Sequence, residues 1–155
     1  MQVRSAPLLV VVPPPVFYVL AFAAGLAIDS ALPWRPDWMH AIRWAGWALV
    51  AAGVAVGPGS AALFALRHTT LKPAGRPVHL VSEGAFRLSR NPMYVGLTLI
   101  YVGLAIALGR PWPLVLVVVP IAIVALVVIP FEEARMREAF GQDYEAYCRR
   151  VRRWI

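Results

Sequence analysis

Cysteine is almost missing from this chain of 155 residues. Cys148 stands alone, which excludes an intrachain disulfide and any disulfide-built scaffold. Histidine is scarce as well: His40, His68 and His79 are scattered, without ligand spacing and without a second thiol, so no metal site is expected. The sequence contains no Ser/His/Asp set, no phosphate loop and no dinucleotide glycine fingerprint. Charge is thin. Asp, Glu, Lys and Arg make up 15% of the residues, against about 25% in ordinary soluble domains. Hydrophobic residues make up 60%, which excludes intrinsic disorder. What remains is an integral membrane protein.

Four stretches carry no charged side chain at all: residues 5–28, 44–66, 91–109 and 111–131. A helix needs about 20 residues to cross a hydrocarbon core. The fold expected is therefore all-α and integral to the membrane, one domain over 1–155. Its four transmembrane helices run over about 15–32, 41–66, 92–109 and 112–131, with a loop over 67–91 and an amphipathic helix over 132–151. Pro13, Pro14 and Pro15 cannot lie inside a regular helix, so the first span starts near Pro15, where proline's preset φ suits a first turn. The apolar start lacks a small-residue cleavage site and reads as a span, not a cleavable signal. Pro58 and Pro120 each free a carbonyl one turn back and are expected to kink their helices. Gly53 and Gly57 form a small-residue pair suited to close helix packing, within the chain or across a dimer.

Orientation follows from the positive residues. An even number of spans puts both termini on one side, together with the 67–91 loop. That side collects twelve of the fifteen Lys and Arg residues, leaving only Arg35, Arg43 and Arg110 opposite. Both termini are therefore expected in the cytoplasm, in a bacterial inner membrane. The net charge of +7 is then explained by topology and anionic lipid, and nucleic acid is not needed as a partner. Trp34, Trp38, Trp44 and Trp112 fall near the opposite interface, as amphipathic anchors do.

The spans are mostly Ala, Val and Leu, so chemistry is expected in the loop and the tail. Within the loop, Val78-His79-Leu80-Val81 is a short apolar run and Ser82-Glu83-Gly84 a turn signal. Asn91-Pro92 reads as a helix start, with Asn91 as the cap, and its free N–H groups could meet an anion. In the tail, Met136, Phe140, Tyr144, Tyr147 and Val151 share one helix face, which Gly141 interrupts. Glu132 and Glu133 are costly at the end of a span unless solvated or paired. They suit either a solvated helix start or a cationic ligand.

These segments together resemble the integral-membrane methyltransferases of the isoprenylcysteine carboxyl methyltransferase and phospholipid methyltransferase superfamily. Leu80-Val81-Ser82-Glu83-Gly84-Ala85-Phe86-Arg87 is similar to one family block. Arg90-Asn91-Pro92-Met93-Tyr94-Val95-Gly96 is similar to a second. Glu132-Glu133 and Phe140-Gly141-Gln142-Asp143-Tyr144-Glu145-Ala146-Tyr147 are similar to the last two. The resemblance covers about residues 64–155. It implies S-adenosylmethionine as methyl donor and a lipid or other lipophilic acceptor. By resemblance, Val78, His79, Leu80, Val81, Gly84, Phe86, Asn91, Pro92, Met93, Tyr94 and Glu132 bind the donor. Glu132, Glu133, Arg87 and Arg90 are the candidates for the chemistry itself.

Two positions depart from the pattern: Phe86 replaces a tyrosine, and Val128 stands where the isoprenylcysteine enzymes carry an arginine for the acceptor carboxylate. Two other readings stay open. A membrane reductase of the steroid-reductase type shares a basic-Asn/His-Pro-x-Tyr block and would bind NADPH, though the paired glutamates speak against it. A non-catalytic membrane scaffold would need neither Glu132 nor the Asn91-Pro92 start.

Overall fold

The computed structural model describes residues 8–66 and 80–155. Val78, His79 and most of the expected 67–91 loop lie outside the described residues. Those that are described are all-helical, with no strand among them. A short turn of helix, α1 (Leu8–Val11), precedes α2 (Pro14–Ala31). The proline run sits where its geometry allows, with Pro13 before the first turn of α2 and Pro14 opening it. The one-turn helix α3 (Trp38–Ala41) leads into α4 (Arg43–Leu66), which carries Pro58 inside it. A 3-10 turn over Gly84–Arg87 precedes α5 (Pro92–Ala107). The last stretch is nearly continuous helix: α6 (Pro111–Leu116), α7 (Val118–Ile123), a π turn over Val124–Val128 and α8 (Ile129–Arg150).

Three helical stretches are long and apolar enough to cross a membrane: Pro14–Ala31, Arg43–Ala62 and the apolar part of Pro111–Arg150. Four were expected. The remaining helix, α5, has 16 residues, about 24 Å at 1.5 Å per residue, against a hydrocarbon core of about 30 Å. It ends at Ala107 because Gly109 turns the chain and the Arg110 amide reaches back to the Ala105 carbonyl. The second difference concerns the tail. No break separates span from tail at Phe131; the helix runs on through Glu132 and Glu133 and breaks at Gly141, whose φ of 49° and ψ of −119° leave the helical region.

The outward faces are what a lipid solvent would meet. Val19, Leu20, Val118 and Val119 are exposed, Leu126 is 75% exposed, and Trp44 is 84% exposed near the start of α4. A soluble surface carries no such continuous apolar cover. Inside, α5 lies antiparallel against α4, with Gly46 facing Gly103 and Ala107, and Gly53 facing Gly96 and Ile100. A Cβ at Gly96 would come within 2.5 Å of the Gly57 Cα. Gly53 and Gly57 are thus consumed by close packing inside the chain.

A polar latch closes the end of the bundle away from α8. Asp29 is fully buried, receives Arg35 through Nη1 at 2.6 Å and Nη2 at 2.9 Å, and also pairs with Arg110. Trp112 donates to the Leu32 carbonyl at 2.8 Å and meets Trp34 edge-on at 6.0 Å. The latch ties the end of α2 to the start of α6. Asp29→Ala is expected to lower stability by about 1–2 kcal/mol: both arginines stay half-exposed and screened, so the full cost of a broken buried pair is not reached. A thermal melt in detergent should fall by several degrees, with ligand binding at the far end unchanged. An unshifted melt would refute the latch.

Candidate functional site

The site is built where α5 begins and α8 begins. The π turn prepares it. Val124, Val128 and Ile129 are all fully buried, and Glu132 and Glu133 follow Ile129 by three and four residues, next on the inward side of the helix. Turns of π type recur at functional sites because they rephase a helix face. On α5, Tyr94, Thr98 and Tyr101 form a stripe at i, i+4 and i+7. The two faces join with Tyr18 of α2 in one core of Tyr18, Tyr94, Tyr101, Val124, Val128 and Ile129. Val128, the position of the missing arginine, is fully buried within this apolar core.

The adjacent glutamates have different surroundings. Glu132 Oε1 accepts the Tyr94 hydroxyl at 2.8 Å. No Lys or Arg among the described residues pairs with it. The apolar span ends at Phe131, so Glu132 is the first charged group beyond it. Burial pushes its carboxyl up to about 7, the Tyr94 hydrogen bond lowers it by less, and the Glu133 charge adds to the rise. Tyr94 is itself anchored. Thr98 Oγ1 donates to the Tyr94 carbonyl at 2.8 Å and lies 2.9 Å from the Tyr18 hydroxyl. With its single proton spent on the carbonyl, Thr98 must accept from Tyr18.

Glu133 is 4% exposed and fully engaged by cations. Its Oε1 receives Arg153 Nε at 3.0 Å and lies 3.2 Å from Arg90 Nη1. Its Oε2 receives Arg153 Nη2 at 2.7 Å, with Arg137 at 3.9 Å. The Glu133 carboxylate, through this hydrogen bond above all, holds the Arg153 guanidinium charged more firmly than an ordinary arginine. Arg90 also donates to Cys148 Sγ at 2.7 Å.

Asn91 differs from expectation. It begins α5, but its side chain makes no capping hydrogen bond. Its amide instead donates to the Arg153 carbonyl at 2.8 Å, and its own N–H is received by Ser89 Oγ at 3.0 Å. The tail competes for the amide and wins, since the Tyr94 and Val95 amides already turn back to the Asn91 carbonyl. Pro92 is fully buried and Met93 half-buried.

The first block packs on the last. Gly84 opens the 3-10 turn at a φ of 58°. Phe86 is 4% exposed, and its carbonyl accepts the Tyr147 hydroxyl at 2.7 Å. Burial pushes that hydroxyl up to about 12, which keeps it a donor. Leu80 packs on the cluster of Tyr144, Tyr147 and Val151, and Val81 is buried. Arg87 lies exposed on the turn and makes no ion pair among the described residues.

The expected residues thus divide. Tyr94 meets Glu132, and Arg90 meets Glu133. Leu80 and Phe86 join the tail, and Arg87 stays apart. Sequence reasoning missed Arg153, Ser89 and the inward role of Cys148. The lone thiol among arginines was the one available signal; Arg153 looks like its basic neighbours.

Fold and site define a helical membrane-type protein whose carboxylates and arginines meet between the starts of α5 and α8. The chain belongs to the phospholipid methyltransferase family, whose model matches residues 41–143. It is also similar to two rice proteins, from Oryza sativa subsp. indica and subsp. japonica, each named probable protein-S-isoprenylcysteine O-methyltransferase. Each is 33% identical over 72 residues, which is 46% of this chain. The matched segment spans 38% of those relatives' length. No solved structure gives a significant match.

Proposed function

We propose that this protein is an integral membrane methyltransferase that uses S-adenosylmethionine to methylate a lipophilic or amphipathic acceptor at the cytoplasmic face of a bacterial inner membrane. In this reading α5 is the fourth crossing, shortened by its packing on α4. Both termini are cytoplasmic, on the side that holds most of the arginines. The observation that carries the proposal is the 2.8 Å bond from Tyr94 to Glu132. It joins the Arg90-Asn91-Pro92-Met93-Tyr94 block to the acidic pair 38 residues later, and that carboxylate has no cation beside it among the described residues.

The residues present suit such a donor, which carries a carboxylate, an ammonium and a sulfonium. When bound, it supplies a methyl group on a positively charged sulfur. Glu132 would face the positive groups, with Tyr94 fixing the direction of its carboxylate. The start of α5 would face the donor carboxylate. Transfer removes the sulfonium charge, so the protein's work is to orient the reactants in line and exclude water, without a covalent enzyme intermediate. Val128 offers no cation to an acceptor carboxylate, which favours an acceptor held in another way.

Calorimetric titration of the detergent-purified protein with S-adenosylhomocysteine, the demethylated product, tests this. Saturable binding at one site is expected. Absence of binding by protein with a cooperative melt would overturn the proposal and return the weight to an NADPH-dependent reductase or a scaffold.

A further inference from the structure

The last residues of the chain do more than supply positive charge. After Arg150 the helix ends, and Val151 turns extended at φ −124° and ψ 131°. The segment then lies across the start of α5. The Arg90 N–H donates to the Arg152 carbonyl at 2.9 Å. The Asn91 amide donates to the Arg153 carbonyl at 2.8 Å, with Ser89 Oγ 3.4 Å from the same oxygen. Trp154 packs on the core that contains Tyr94. Meanwhile the Arg153 guanidinium holds both oxygens of buried Glu133, at 3.0 and 2.7 Å. One residue thus grips the α5 start through its main chain and the acidic pair of α8 through its side chain.

We propose that Arg153 is a positioning residue of the donor site. Its grip sets the distance between Asn91 and the Glu132-Glu133 pair. By occupying Glu133, it makes Glu132 the carboxylate that, among the described residues, has no cation and can meet one. Arg137 cannot substitute, since it sits 3.9 Å from Glu133 and is turned to Glu145 at 2.7 Å. The role rests on the methyltransferase reading above. It assigns a function to a segment outside the family match, which ends at residue 143.

The test compares wild type, Arg153→Gln, Arg153→Lys, Arg153→Ala and a chain stopped after Val151, each titrated with S-adenosylhomocysteine and each melted in detergent. Arg153→Gln keeps the carbonyl contacts and loses the guanidinium. Its affinity should fall about tenfold, the scale of one charge-assisted hydrogen bond. Arg153→Lys keeps a point charge without the fork and should lie between the two. The shortened chain loses both grips and should bind most weakly. Arg153→Ala should regain part of the lost affinity when guanidinium ion is added at low millimolar concentration, because the side chain is 41% exposed and leaves an open slot. A purely structural residue would show no such rescue. Wild-type affinity in Arg153→Gln would overturn the inference, as would equal losses in Gln and Lys without guanidinium rescue. No binding by folded wild type would instead overturn the methyltransferase reading. If the shortened chain does not fold, the three full-length variants decide.

Discussion

Glu132→Gln is expected to bind S-adenosylhomocysteine about 10- to 100-fold more weakly than wild type, the loss of roughly 1.5–3 kcal/mol that accompanies removal of a charged hydrogen-bond partner. The substitution keeps the shape and the oxygen that accepts from Tyr94, so the fold should survive. Its stability should even rise at neutral pH. Burial lifts this carboxyl from 4.5 to about 7 in the folded chain, so ionising it opposes folding. That cost grows as the pH climbs through the interval between those values, and glutamine removes it. The sign of the binding effect is opposite. A positively charged ligand needs the ionised carboxylate, so wild-type affinity should increase from pH 5.5 to 7.5, below the range in which the ligand's own amine titrates. In Glu132→Gln the profile should be weak and flat. Comparing the donor itself with the product refines the assignment. If Glu132 faces the sulfonium, the donor loses more affinity than the product; if it faces the ammonium, both lose equally. A variant with wild-type affinity and an unchanged pH profile would remove Glu132 from the site.

How much of this was visible in the residues can be judged feature by feature. Charge-free stretches gave the apolar helices, because desolvating a charge in lipid is expensive whatever the fold. The proline run put the start of α2 near Pro15, one residue after Pro14 where it begins, and Gly141 marked the break in α8, since both act through local backbone geometry. The pairing of Tyr94 with Glu132 was approached only through family blocks. The length of α5 was misjudged by two residues at its end, as the turn at Gly109 draws Leu108 out of the helix. The π turn was invisible, since Val124–Val128 is uniformly apolar and has no periodic mark. The role of Asn91 was misread for a different reason. Capping propensity is local, and the amide was taken by a carbonyl 62 residues away. Arg153 was hidden among like neighbours: sign and position gave an expectation of which side of a membrane the tail faces, and said nothing of which guanidinium turns inward.

Glu133→Ala should be the more damaging of the two acidic substitutions for the fold itself. Here the carboxylate is 4% exposed, and Arg90, with 14% of its side chain exposed, loses its only acidic partner among the described residues when Glu133 is removed. Arg90 also has a buried Nε without a hydrogen-bond partner among the described residues, so it has little compensation to fall back on. Taking away one member of a buried ion pair leaves a desolvated charge and costs about 3–5 kcal/mol. For a chain of this size that corresponds to a fall of about 10 °C in Tm. Arg153 and Arg137 would recover part of the loss by turning to water, since both are more than a third exposed. Glu133→Gln should fall between alanine and wild type. It keeps the packing and one acceptor but leaves three guanidinium groups without their shared anion. Run beside Glu132→Gln, the melts and titrations form a crossed test: one glutamate changes binding with stability retained or raised, its neighbour changes stability first. Equal melts for Glu133→Ala and wild type would mean that the arginine cluster contributes nothing net, and the division of labour between the paired carboxylates would fail with it.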